Sequence, residues 1–193
     1  MQLSMHTKIS NLLKQIDTIL VTPEFIEYRN NEAAKGTYNP WANYKQCDFL
    51  LLEHFLKENG LVYKPTHAWR HDFIIIVESI KYIIDAKNIT SNFFNIKTEK
   101  QKAQYKESIR LGELTHFLMY SSFPDMYKTK YKVGDEIKIQ FRDFLPATYV
   151  MNNLKESQDT GWYFDLRDKK MCTNGQKHDI INLEEVNKLF EGV

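Results

Sequence analysis

The amino-acid sequence predicts an α/β domain with a mixed central sheet, and three observations carry that prediction. Short runs rich in β-branched and aromatic residues alternate with stretches of helical periodicity. Over residues 44–121 these segments follow the order helix, three strands, helix, strand (αβββαβ). Hydrophobic residues make up 42% of the 193-residue chain, which is enough to bury one core.

The amino-acid composition limits the kinds of binding partner and the cellular compartment expected for this protein. The net charge of +1 excludes a globally basic surface, so any nucleic-acid contact must be local. Cys47 and Cys172 lack metal-ligand spacing and favour a reducing environment. Because no apolar run reaches membrane-spanning length, we expect a soluble, cytoplasmic protein with no membrane partner.

Residues 1–43 are predicted to form a helical N-terminal extension. Apolar residues recur at helical spacing over 8–20, and Pro23 lies just beyond them. A second short helix is expected over 23–29. Residues 30–41 contain Gly36 and Asn39-Pro40 and are predicted to form a loop.

The predicted core begins with a helix over 44–59, which Gly60 ends. An extended segment over 61–68, interrupted at Pro65, leads into a hairpin. After a polar stretch, a helix runs over 97–111 to Gly112, and a strand follows over 114–121.

The hairpin joins strands 73–77 and 81–86 through a two-residue turn at Glu78 and Ser79. Counting outward from that turn places Asp72 opposite Asp85, and opposed residues have Cβ atoms about 4.5–5.5 Å apart. Lys87 lies two residues beyond Asp85, so strand alternation returns it to the same face. We therefore expect two acids and a lysine to cluster on one face.

Such a cluster destabilises the folded protein, so its presence indicates a function. Directly opposed like charges destabilise a sheet, and close carboxylates do not ionise together without a cation. A divalent metal removes the conflict, because Mg²⁺ is commonly held by one or two carboxylates and substrate phosphate oxygens. The alternative is a surface hairpin whose solvated acids pair with a lysine.

Asp72, then twelve residues, then Asp85-Ala86-Lys87 resembles the signature of the PD-(D/E)XK nucleases, the restriction-endonuclease-like enzymes. His71 stands where that signature usually has proline. The resemblance covers residues 44–121 and implies the αβββαβ core. It also implies that Asp72, Asp85 and the Ala86 carbonyl hold Mg²⁺, for which Mn²⁺ is expected to substitute, while Lys87 orients or deprotonates the attacking water.

Glu53 lies within the apolar arc of the helix over 44–59, where an isolated charge is costly. In the family that Asp72 and Asp85 resemble, a glutamate from this preceding helix often assists metal binding. The resemblance therefore implies a metal role for Glu53. The alternative, a glutamate that extends to solvent at the margin of the arc, stays open.

The following helix contains Gln101-x-x-x-Tyr105, which is similar to the QxxxY element of the RecB-like branch. The resemblance implies that Gln101 and Tyr105 approach the substrate. Lys102 and Lys106 belong to a basic run that could contact phosphates, although a solvated helix face has the same pattern.

Residues 122–193 are predicted to form a small α+β C-terminal extension. It begins with a loop over 125–132, where lysines and tyrosines alternate as in single-strand-binding segments or solvated edge strands. A strand is expected over 136–141, a hairpin over 162–166 and 170–172, and a closing helix over 183–190.

The function expected from these features is metal-dependent hydrolysis of phosphodiester bonds, in DNA more than in RNA, with 5′-phosphate and 3′-hydroxyl products. The spacing between Asp72 and Asp85 also resembles the cap-snatching RNA endonucleases of segmented negative-strand viruses. A third interpretation is a catalytically inactive nucleic-acid-binding or assembly module of the same fold. A homodimer would suit double-strand cleavage.

Overall fold

The structure is a computed structural model that describes residues 5–34, 44–60, 62–68, 71–77, 79–123, 131–157 and 161–171. Its α-helices are α1 (Met5–Leu13), α2 (Pro23–Ala34), α3 (Tyr44–Glu58), α4 (Glu99–Arg110) and α5 (Ala147–Asn152). Its strands are β1 (Thr18–Leu20), β2 (Val62–Ala68), β3 (His71–Val77), β4 (Ile80–Asn88), β5 (Phe93–Ile96), β6 (His116–Phe123), β7 (Glu136–Pro146), β8 (Lys155–Ser157) and β9 (Gly161–Asp165).

A six-stranded mixed sheet has the order β1-β7-β6-β4-β3-β2. Strands β4 and β6 are parallel, and the other neighbouring pairs are antiparallel. The α/β class predicted from the sequence is confirmed at the level of a mixed α/β fold. Helix α4 lies in the connection between the two parallel strands, as a parallel pair requires a crossover.

The central strands are buried on both faces because each side of the sheet carries an apolar layer. In β6, Leu118 and Tyr120 belong to the cluster that contains α1 and α3 residues, whereas Phe117 and Met119 belong to the cluster under α4 and α5. All four are 0% exposed. This two-sided burial explains why β6 reads as a continuous apolar run rather than an alternating one.

The predicted hairpin is confirmed in position and in register. Val77 pairs with Ile80 and Phe73 pairs with Ile84, so β3 and β4 are joined by the two-residue turn. Ser79 in that turn has φ of 69°. The predicted helices at 44–59 and 97–111 correspond to α3 and α4, and Gly60 and Gly112, with φ of 61° and 69°, follow them.

The helix predicted over 8–20 is wrong after Leu13. Ile16 N donates to Leu13 O, which tightens the last turn, and Thr18–Leu20 then pairs with β7. Ile19 is buried while Leu20 is 54% exposed, which is strand alternation. The apolar spacing of this segment is compatible with a helix and with a strand. Hydrogen bonding to β7 stabilises the strand.

Other boundaries also differ from the predictions. Helix α2 continues to Ala34, so a loop beginning at residue 30 was wrong, and β7 runs to Pro146 rather than 141. The strand predicted over 162–166 corresponds to β9, but Leu166–Met171 form a 3₁₀ helix, so the second strand of the predicted hairpin is wrong at 170–171. Residue 172 and the helix predicted over 183–190 lie outside the described residues.

A second sheet, absent from the predictions, has the order β5-β9-β8 and is antiparallel throughout. A Cβ on Gly161, which has φ of +83°, would lie 2.5 Å from Ile96 O. Only glycine allows β9 to begin this close to β5. Strand β5, which runs through the stretch predicted as polar and irregular, is thereby held beside the end of β4.

Within the described ranges, helices are too short or too polar to cross a membrane.

Candidate active site

The β3–β4 hairpin brings Asp72 and Asp85 together. The paired register ends at Phe73 and Ile84, so the next residues outward are the two acids. The two carboxyl groups lie close enough for Asp72 to raise the pKa of Asp85, and Asp72 Oδ2 accepts a hydrogen bond of 2.9 Å from Ala86 N. The juxtaposition follows from the turn length and the register, as the sequence predicted.

Lys87 completes this cluster. Its Nζ lies 2.6 Å from Asp85 Oδ1. The Asp85 side chain is 7% exposed, whereas that of Lys87 is 32% exposed. The ammonium group therefore lies at the mouth of the site and the Asp85 carboxylate at its base.

The pKa values of Asp85 and Lys87 are both raised in this cluster. Burial raises the pKa of Asp85 to about 7; the Asp72 carboxylate adds to the rise and Lys87 opposes it. Burial acts to lower the pKa of Lys87, but the Asp85 carboxylate outweighs it, so that pKa is raised. Lys87 is therefore a fixed cation, and Asp85 gains a proton far more readily than an ordinary aspartate.

Helix α4 supplies Tyr105 and Gln101 to the same site. Lys87 Nζ lies 5.8 Å from the centroid of the Tyr105 ring, and Gln101 lies one turn before Tyr105 on α4. Burial raises the pKa of Tyr105 to about 12, and the Asp85 carboxylate adds to the rise. Tyr105 is thus a neutral phenol beside the acidic pair.

Gln101 also has a structural role. Its N–H donates to the N-cap hydroxyl of Thr98, and its Oε1 accepts a hydrogen bond of 3.1 Å from Lys97 N. This is close to a capping box, which explains why α4 begins here. Part of the hydrogen-bonding capacity of Gln101 therefore serves the helix start.

The remaining predicted site residues lie elsewhere. Glu53 Oε1 forms an ion pair of 2.8 Å with Lys57 Nζ, one turn along α3. Lys102 Nζ lies 3.9 Å from the centroid of the Trp162 ring, and Lys106 is exposed on α4. The structure brings together Asp72, Asp85, Lys87, Gln101 and Tyr105, but not Glu53.

Asp72 and Asp85 are the acidic side chains that the described residues bring together here. No group of three or more His, Cys, Asp or Glu side chains converges in the described ranges. The chemistry of the pair nevertheless fits a hard divalent ion, because a cation would offset the repulsion between two neighbouring carboxyl groups.

A cleft of about 240 Å³ continues from this cluster, and sequence reasoning did not find it. Lys87, Phe93, Asn95, Gln101 and Tyr105 contribute to its walls. The signal was the alternation in β5, where Phe94 and Ile96 are buried while Phe93 and Asn95 face outward. Asn88, Asn92 and Asn95 make this segment look polar and irregular, so the alternation was not recognised from the sequence.

One predicted single-strand-binding tyrosine is not available for stacking. Tyr131 is 6% exposed and packs edge-on against Phe25, with ring centroids 6.0 Å apart. Tyr131 therefore has a structural role in the segment predicted as a loop over 125–132. Residues 125–130 of that segment lie outside the described ranges.

Comparisons with protein-family models and with curated proteins found no match to this chain.

Proposed function

We propose that this protein is a metal-dependent nuclease of the PD-(D/E)XK type that hydrolyses phosphodiester bonds in nucleic acid, with DNA favoured over RNA. The observation that carries the proposal is that the hairpin register places Asp72 beside Asp85, which forms an ion pair of 2.6 Å with Lys87. These are the three residues of the motif, and they meet through β-sheet register rather than through sequence proximity.

The element order supports the same proposal. Helix α3 precedes the antiparallel strands β2, β3 and β4, and helix α4 precedes β6, which is parallel to β4. These elements follow the αβββαβ order that the resemblance implies, except that β5 of the second sheet is inserted between β4 and α4. The acids lie at the end of the hairpin, and Tyr105 of the crossover helix lies near Lys87 and Asp85.

Asp72 and Asp85 are the side chains that would hold Mg²⁺ or Mn²⁺. When bound, the ion would supply charge neutralisation on the phosphate and Lewis-acid activation of water. Glu53, which is paired with Lys57, is not needed in this assignment.

The raised pKa of Lys87 supports a role in orienting the attacking water over a role in deprotonating it. A lysine held as a cation by Asp85 does not remove a proton from water. It can orient the attacking water and stabilise the negative charge that grows on the phosphate oxygens. Attack of water on phosphorus breaks the P–O3′ bond and leaves a 5′-phosphate and a 3′-hydroxyl.

The test is a cleavage assay on single-stranded DNA, double-stranded DNA and RNA, each with Mg²⁺, Mn²⁺ or EDTA. Lys87→Met keeps the length of the side chain but removes the charge, and we expect it to lower kcat by about 100-fold or more. Lys138→Met, at an exposed lysine of β7, is the matched control and should cleave like the wild type. Absence of cleavage by folded wild-type protein with either metal would refute the proposal.

A further inference from the structure

We propose that the cleft beside Lys87 binds the base and sugar of one unpaired nucleotide adjoining the bond to be cleaved, so that the protein acts on single-stranded or locally unpaired nucleic acid. The inference deepens the proposed function and rests on it. It assigns the substrate geometry, which the acidic cluster alone does not.

The size of the cleft limits its occupant. About 240 Å³ is below the roughly 300–1,000 Å³ that encloses a drug-sized ligand, so the space suits one nucleoside and not a stacked base pair. A base within a duplex is paired and stacked, and it must leave the helix before it can enter a pocket. An already unpaired nucleotide avoids that cost.

The lining of the cleft has the chemistry that recognises a base. Phe93 and Asn95 both line the cleft, and because they are two residues apart on β5, their side chains lie on the same side of that strand. An aromatic ring offers a stacking surface, and a carboxamide can both donate to and accept from a base edge. In this assignment the Phe93 ring is the platform on which the base stacks, and the Asn95 carboxamide hydrogen-bonds the edge of the base.

The platform is held rigidly. The edge of the Tyr163 ring packs against Phe93 with ring centroids 5.5 Å apart, and the Arg167 guanidinium lies 5.2 Å from the Phe93 centroid. Arg167 is itself fixed by hydrogen bonds of 2.9 and 2.7 Å to Asp165. A stacking surface that is already ordered loses little entropy when a base binds.

The position of the cleft connects base binding with the reaction. Lys87 contributes to the wall of the cleft and also contacts Asp85. A nucleoside within the cleft would therefore carry its phosphate towards the ammonium group and the acidic pair. The small second sheet, which supplies Phe93, Asn95 and Tyr163, acts in this view as the part that selects the substrate.

Binding in EDTA tests the inference without catalysis. Fluorescence anisotropy would compare one labelled sequence as a single strand, as a fully paired duplex, and as a duplex with one unpaired nucleotide. We expect the two unpaired forms to bind at least tenfold more tightly than the paired duplex. Asn95→Ala and Phe93→Leu should each weaken that binding by about fivefold to twentyfold.

Asn11→Ala, at an exposed asparagine of α1 outside the cleft, is the matched control and should bind like the wild type. Thermal melting of each variant checks folding, and Asn95→Ala remains informative if Phe93→Leu unfolds. Equal binding of the three forms, or unchanged binding by folded Asn95→Ala, would overturn the cleft assignment.

Cleavage of the same three substrates with Mg²⁺ separates the two proposals. Cleavage without preference, unaffected at Asn95, would overturn the cleft assignment and leave the nuclease. Binding that prefers unpaired nucleotides and depends on Asn95, without any cleavage, would support the cleft and refute the nuclease.

Discussion

At the scale of single residues, Asp85 has the least ordinary environment in the site. It is buried, lies beside Asp72, and forms an ion pair with Lys87. Its pKa near 7 means that the folded protein retains a proton there that the unfolded chain loses near its ordinary value of 3.8. Between these two values the free energy of unfolding therefore falls as the pH rises.

Asp72→Asn should relieve this conflict in metal-free protein. The Asn Oδ1 can still accept the hydrogen bond from Ala86 N, while the charge that opposes Asp85 ionisation is gone. We expect urea unfolding in EDTA at pH 8 to show a gain of about 1 kcal/mol, and a smaller gain at pH 5, where folded Asp85 is protonated.

Glu136→Gln, at an exposed acid of β7, is the control for loss of one negative charge and should change stability little at either pH. A loss of stability in Asp72→Asn at pH 8 would contradict the electrostatic account.

The sequence was sufficient to predict that Asp72, Asp85 and Lys87 converge, because strand alternation and a two-residue turn fix which residues face each other. It could not predict that Lys102 lies over Trp162. That contact depends on where the second sheet packs against α4, and no local pattern encodes the position of a segment about 60 residues away.

At the scale of elements, the β3–β4 turn sets the geometry of the acidic pair. Ser79 has φ of 69°, a conformation that costs a residue with a side chain about 1–2 kcal/mol and glycine almost nothing. We expect Ser79→Gly to raise the free energy of unfolding by about 0.5 kcal/mol, since greater freedom of glycine in the unfolded chain offsets part of the gain.

Ser79→Val is the opposing variant, because a β-branched residue is disfavoured at positive φ. Chemical denaturation should rank the stabilities as Gly, Ser, then Val at position 79. Any other order would mean that the turn conformation does not limit the stability of the hairpin.

The second sheet depends on the close approach of Gly161 to β5. Gly161→Ala would place a Cβ 2.5 Å from Ile96 O at φ of +83°, so we expect a loss of about 2–3 kcal/mol. At Gly112, which has φ of +69° and nothing within 4 Å of the added Cβ, alanine should cost only about 1 kcal/mol.

Urea unfolding of the two glycine variants gives the comparison. Equal losses at the two positions would mean that the contact with β5 adds nothing to the conformational cost. Because β5 carries Phe93 and Asn95, Gly161→Ala should also weaken binding in the cleft, whereas Gly112→Ala should not.

Elements with strong local signals were predicted well, and elements that depend on pairing were not. Gly60 and Gly112 marked the ends of α3 and α4. Strand β1 was taken for helix because Ile16, Ile19 and Leu20 suit a helical stripe as well as they suit an end of α1 followed by a strand. The choice depended on β7, about 115 residues later.

At the scale of the whole molecule, the region that carries the motif does not complete the sheet by itself. Residues 44–121 supply β2, β3, β4 and most of β6, while β1 and β7 come from the segments on either side. The two apolar layers make this sheet the rigid support of the hairpin end. The acidic pair lies where β4 separates from β3 while it is still paired with β6, and Lys87, two residues further along β4, lines the cleft.

The central claim is that Asp72 and Asp85 are placed together to hold a divalent cation, and calorimetric titration of Mn²⁺ into the metal-free protein tests it most directly. We expect binding to the wild type, and at least tenfold weaker binding to Asp72→Asn and to Asp85→Asn. Asp168→Asn, at an exposed acid that pairs with Lys155, should bind like the wild type. Failure of the wild type to bind Mn²⁺ at millimolar concentration, or equal binding by Asp72→Asn, would contradict the account.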